Sequence, residues 1–100
     1  MSTTVNQDNR NNTVTISLIG SFDFSLFNDF RAAYTDLDGN FNRYVIDMSS
    51  VEYLDSAALG MLLSMRNAIP AEQDIDLKGA NAFIKNILMI SRFDKRFNII

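Results

Sequence analysis

The sequence predicts a single-domain α/β protein, residues 1–100, built on a mixed, largely parallel sheet of about five strands with helices in the connections. Three observations lead there. Apolar spacing switches repeatedly between a period of two and a period of three-and-four, so strand and helix signals alternate along the chain. The breaks between segments carry Gly, Asn, Asp or the single proline, Pro70. A chain of 100 residues holds one modest core, with somewhat over ~60% of its unfolded surface buried on folding.

Each element has its own signal. Val5 lies in a short edge strand, and "DNRNN" supplies turn material. "TVTISLIG" alternates, with Val14, Ile16 and Leu18 on one face and Gly20 as its end. From Ser25 the spacing becomes helical: Phe27, Phe30, Tyr34 and Leu37 share one side, and Asp38-Gly39-Asn40 terminates the helix. "RYVIDM" suits a central strand. Ser56 to Ile69 reads as the second helix, stopped by Pro70, which cannot continue a helix and biases its predecessor away from helical geometry. "DIDLKGA" is a further strand. Asn81 caps a third helix whose buried side is Phe83, Ile84, Ile87, Leu88 and Ile90, and "RFNII" is the last strand. Such alternation predicts right-handed crossovers between parallel strands, with an antiparallel edge near the N-terminus.

Composition narrows the function. A net charge of −3 argues against a nucleic-acid binder, which needs clustered Lys and Arg, so the expected partners are proteins. Cysteine is absent, which removes disulfides and thiol nucleophiles and makes the cytoplasm the expected compartment. No run approaches a membrane span and the N-terminus has no apolar leader, so no membrane association is expected. Histidine is absent too, closing Ser-His-Asp catalysis and His-ligated zinc. A Ser-Lys pair using Lys78 or Lys85, or a carboxylate pair, stays formally open, but nothing in the spacing supports it. The reading is therefore a non-enzyme with no cofactor and no metal.

One segment asks for explanation: "YLDSAALGMLL", residues 53–63, where an Asp-Ser pair opens a strongly apolar helix. On a helical wheel Ser56, Gly60, Ser64 and Asn67 fall within roughly 80° of one another, an outward stripe of small and polar residues. Ala58, Leu59, Met61, Leu62, Met65 and Ile69 fill the remaining arc. Ser56 thus sits at the exposed amino end, where unbonded N–H groups and the helix dipole favour negative charge by about 0.3–1 kcal/mol, with the Asp55 carboxylate opposing it. Gly60 costs about 1 kcal/mol relative to alanine inside a helix, and a close approach of another backbone would account for it. The same residues also fit an ordinary helix start, in which Asp55 and Ser56 are only a cap and a first turn.

With "LIGSFDFSLFNDF" before it, "VIDMSSVEYLDSAALGMLL" resembles the STAS domain of bacterial anti-sigma factor antagonists. The carrying motifs are D-S-x-x-L-G, here Asp55 to Gly60, and G-x-[LF]-D, here Gly20 to Asp23; the likeness spans residues 13–100. It implies a STAS fold with three to four helices mainly on one face. It also implies that Ser56 is the acceptor for a serine kinase of the anti-sigma-factor type, and that a PP2C-type phosphatase reverses the modification. The unmodified form would hold the kinase partner and the phosphorylated form would release it. The partner-binding surface so implied comprises Asp23, Phe24, Asp55, Ser56, Ala57, Leu59, Gly60, Leu63 and Ser64. Positions 57 and 58 are Ala-Ala where many members carry a serine or glycine, so no adjacent hydroxyl competes with Ser56.

The alternative is a constitutive STAS subunit of a cytoplasmic complex, such as that of a bacterial ABC lipid transporter. In that case Ser56 is plain interface. By itself the chain is expected to be a monomer. The run Phe22, Phe24, Phe27, Phe30 reads as core and entry packing, and Lys85, Arg92, Lys95 and Arg96 as a locally basic, solvated surface.

Overall fold

The computed structural model describes residues 2–37 and 41–100. Five strands, β1 (Ser2–Asp8), β2 (Thr13–Phe22), β3 (Arg43–Leu54), β4 (Asp74–Lys78) and β5 (Asn98–Ile99), form one sheet in the order β1-β2-β3-β4-β5. β1 runs antiparallel to β2, and the other neighbours are parallel. Helices α1 (Phe27–Thr35), α2 (Ser56–Ala68) and α3 (Ala82–Ile90) make the crossovers. Because each crossover steps to the next strand in the same direction, right-handed connections carry all three helices to one face.

Register builds the core under those helices. Val14, Tyr44 and Ile75 lie side by side, as do Ile16, Ile46 and Leu77, and all are buried. The opposite face carries Thr13, Thr15, Ser17, Arg43, Asp47, Asp74 and Lys78. There Asp47 accepts from the Ser49 N–H at 3.0 Å and its hydroxyl at 2.7 Å. Asp76, only 2% exposed, is held by the Arg43 guanidinium and the Asn98 amide.

Each strand departs from the sequence expectations in its extent; β4, for one, stops at Lys78, before the Gly79-Ala80 of "DIDLKGA". β1 is not a stub around Val5 but seven residues in continuous register with β2. Its turn is fixed by Asp8, whose Oδ1 accepts from the N–H groups of Arg10 and Asn11, and by Asn12 in the left-handed region. Gly20 does not end β2; with φ of 94° it sits where the register slips, and the strand continues to the fully buried Phe22.

β3 runs twice as far as "RYVIDM", to Leu54. Ser17 pairs with Asp47 but Ile19 with Ser50, and Gly20 with Val51 but Ser21 with Tyr53, so β3 carries one extra residue at each of two bulges. Beyond Met48 its buried residues therefore recur every third position, Met48, Val51 and Leu54. That spacing conceals the strand from a period-two reading.

The first helical region begins with a 3-10 turn, Phe24–Leu26, before α1. Phe30 and Tyr34 are buried and Phe27 and Leu37 pack half-buried against the core, as the spacing predicts. The expected stop at Asp38-Gly39-Asn40 lies outside the described residues. α2 ends at Ala68 because Ile69, preceding Pro70, is extended at φ −90° and ψ 134°.

In α3 only Ile84 and Leu88 are buried, with Ile87 half-buried. Phe83 is 61% exposed and Ile90 72%, against expectation. On the wheel those two sit about 100° or more from Ile84, and a nine-residue helix turns only one side to the sheet. The last strand is shorter than "RFNII": Phe93–Lys95 form a 3-10 turn, and Phe97 folds back on it, donating its N–H to Phe93 O at 2.8 Å and stacking on the Phe93 ring.

Candidate functional site

β2 and β3 end level with each other. Phe22 and Leu54 form their last parallel pair, so Asp23 and Asp55 leave the sheet side by side at its carboxyl edge. Both adopt extended backbone geometry, and each caps the helical turn next to it in the chain. The Asp23 carboxylate accepts from the Ser25 N–H at 2.9 Å and from the Ser25 hydroxyl. Asp55 Oδ1 accepts from the Ala58 N–H at 3.0 Å. One strand further on, Asn81 opens α3 in the same way, its Oδ1 accepting from Ile84 N at 2.8 Å. The carboxyl edge of a parallel sheet is where α/β folds gather functional groups, because every crossover begins there.

Ser56 is the first residue of α2 and is exposed. With the Asp55 carboxylate committed to Ala58, the foremost N–H groups of the helix lie ahead of the point where intrahelical bonding begins. A phosphoryl group on the Ser56 oxygen would meet a positive helix end on one side and the two carboxylates on the other. The Asp55 carboxylate is engaged through Oδ1 as the cap of α2.

The outward stripe is where the wheel puts it: Ser56, Gly60, Ser64 and Asn67 are all exposed. A Cβ built on Gly60 would meet nothing within 4 Å. The close backbone approach expected there is thus not supplied by the described residues of this chain. Leu59 and Leu63 are half-buried against the core, showing one edge outward, and Asp23, Asp55 and Ala57 are also half-buried. Phe24, 66% exposed, stacks on Phe27 with ring centroids 5.4 Å apart, putting an apolar plate beside Asp23. All nine anticipated surface residues therefore lie on the Asp23 loop or on α2.

Sequence reasoning missed three features. Tyr53, half-exposed, adds a second aromatic ring to this edge. A groove of about 330 Å³ between α1 and α2, lined by Phe27, Arg31, Tyr34, Thr35, Ser64 and Ala68, runs beside the stripe. Burial raises the Tyr34 hydroxyl above its ordinary pKa there, with the Arg31 charge opposing. Arg66, on the inward side of α2, is only 9% exposed and donates through Nη2 to the carbonyls of Ile69, Pro70 and Gln73. An arginine within an apolar helix, close before a proline, was the available signal. Among the described residues no group of three or more His, Cys, Asp or Glu is placed to hold a metal ion, and no helix is long and apolar enough to cross a membrane.

Sheet order, one-sided helices and capped carboxyl edge define a STAS-type domain, and the comparisons agree. The chain belongs to the family described as Mlab, STAS domain, whose model matches residues 5–100. A STAS-domain containing protein of Pseudomonas aeruginosa (strain UCBPP-PA14) is 41% identical over 87 residues, 86% of this chain and 86% of that one. The crystal structure of an anti-sigma factor antagonist from Mycobacterium paratuberculosis superposes with a TM-score of 0.81 at 22% identity, covering 98% of this chain and 83% of that one. The anti-sigma factor antagonist SpoIIAA in its unphosphorylated form superposes with a TM-score of 0.75 at 17% identity, covering 99% and 87%.

Proposed function

We propose that this chain is a phosphorylation-controlled protein-binding regulator of the anti-sigma-factor-antagonist kind, working in the bacterial cytoplasm within a partner-switching pathway. The unmodified Ser56 surface binds a serine kinase of the anti-sigma-factor type. Phosphorylation of Ser56 releases that partner, and a PP2C-type phosphatase restores the binding form. The role is not enzymatic. One observation carries the reading: Ser56 is exposed at the first position of α2, flanked by the two capping aspartates and followed by an open small-residue stripe.

The physical basis is asymmetric. The folded chain tolerates the phosphate, which sits in water at a helix amino end. A partner packed over Ser56 would bury a group of about −1.5 to −2 charge beside Asp55, and an unpaired buried charge is strongly unfavourable. Pull-down with Ser56→Ala and Ser56→Glu tests this. The account expects capture by the first and loss by the second, and equal capture by both counts against ejection by charge.

A second reading takes its support from the family description, which names Mlab rather than an antagonist. In it the same surface is a standing interface within a cytoplasmic complex, such as a lipid-transporting ABC system, and Ser56 is never modified. Mass spectrometry of protein from its own cells separates the two readings.

A further inference from the structure

At the far end of α2 from Ser56 lies a cavity of about 530 Å³ lined by Arg66, Lys95 and Arg96 on one side and by Ile69, Pro70 and Ala71 on another. A smaller cavity of about 170 Å³ adjoins it and shares the same three cations. We propose that this is a binding site for a phosphate monoester, its oxygens held by the two guanidinium groups and Lys95 and its organic part laid on the Ile69-Pro70-Ala71 floor.

Three observations carry the assignment. First, among the described residues none of the three cations forms an ion pair. The two carboxylates of the smaller cavity are engaged elsewhere, Asp74 with Arg43 at 3.6 Å and Asp94 with Arg92 at 3.5 Å. Second, both guanidinium groups are anchored with donors to spare. Arg66 is nine-tenths buried and uses Nη2 on its three carbonyls, and Arg96 uses Nη2 on Asn67 Oδ1 at 2.8 Å, leaving Nη1 and Nε of each for a ligand. Oriented forks of this kind match phosphate oxygens bidentately. Third, the cavity is an open cleft whose volume lies within the range of small-molecule sites, with both charged and apolar residues in its lining.

Burial first and the nearby Arg96 charge second lower the Arg66 pKa, with the Asp74 carboxylate opposing them. The carboxyl end of α2 alone would repel an anion, so the attraction belongs to the side chains. Ser56 lies about 18 Å away along a helix of 13 residues, and the site does not depend on how Ser56 is used.

The test is calorimetric titration of the full chain with phenyl phosphate and with inorganic phosphate, alongside thermal unfolding against chloride at matched ionic strength. Binding is expected for both, tighter for phenyl phosphate. A Tm rise of about 6–11 °C is expected near tenfold excess over Kd. The double variant Lys95→Ala/Arg96→Ala, both exposed positions, should stay folded by circular dichroism and lose heat and shift together. Should that variant be less stable, titration well below its Tm still reads the loss. No heat with either probe, or equal binding by the variant, overturns the site. Co-sedimentation with vesicles of phosphatidylcholine with and without phosphatidic acid separates the sources. Retention on the acidic vesicles, lost in the variant, assigns the monoester to a lipid headgroup; protein left in the supernatant while phenyl phosphate binds assigns it to a soluble molecule.

Discussion

Phe22 and Leu54 close the parallel pairing of β2 and β3, and the residue after each is an aspartate that caps a helical segment. Asp23 and Asp55 are thereby brought together by the sheet although 32 positions separate them in the chain. The pairing register sets the two aspartates next to each other, and the Asp55 cap starts the helix of which Ser56 is the first residue.

Removing the second cap should cost stability without abolishing the fold. Asp55→Ala leaves the Ala58 N–H without its acceptor, a loss of about 1 kcal/mol for an N-cap, whereas Asp55→Asn keeps an acceptor and should change little. Thermal unfolding checks this, with about 4–8 °C expected between the alanine variant and the parent for a domain of this size.

Two glycines should respond in opposite directions. Gly60→Ala places a methyl in open space within a helix and should stabilise by about 0.5–1 kcal/mol. Gly79→Ala imposes a side chain on φ of 75° and sets its Cβ 3.1 Å from Ser49 Cβ, so it should destabilise by about 1–2 kcal/mol. Urea midpoints of the two variants read the contrast. If the α2 stripe is covered by a partner, the stabilised Gly60→Ala protein should nonetheless bind that partner less well.

Acid should weaken the fold in a defined way. The Ser49 N–H and hydroxyl, with Lys78 nearby, hold the Asp47 carboxyl below its ordinary value, and the Asn11 side chain first and its N–H second do the same for Asp8. A folded-state pKa below the unfolded one gives stability that is complete above about pH 4 and is lost as pH falls through the folded value. The urea midpoint should therefore be flat in this respect near neutrality and drop below about pH 4. Asp47→Asn should be the less stable protein at pH 7, and the gap should narrow at about pH 3.

Much of this was legible in the chain itself. Val14, Ile16 and Leu18 alternate strictly because β2 is half-covered, and Asp55, Asn81 and Pro70 bound their helices by local chemistry that needs no tertiary context. The long outer half of β3 was not legible, because two bulges give Met48, Val51 and Leu54 a spacing of three. Phe83 and Ile90 were misplaced because α3 is apolar around much of its circumference and only packing decides which arc is covered. At the candidate site the motif named Asp23, Phe24 and the α2 residues, but their adjacency comes from register. Neither Arg66's carbonyl network nor the cavity it shares with Arg96 follows from spacing, since 30 positions separate the two arginines.

The most direct measurement is phosphosite mapping of the chain recovered from its own cells in two pools, one bound to its protein partner and one free, with and without phosphatase treatment. Phosphate on Ser56 confined to the free pool, with phosphatase moving that pool into the bound one, is the expected result. Phosphorylated Ser56 equally abundant in the bound pool, or no phosphate at Ser56 in either, would contradict it.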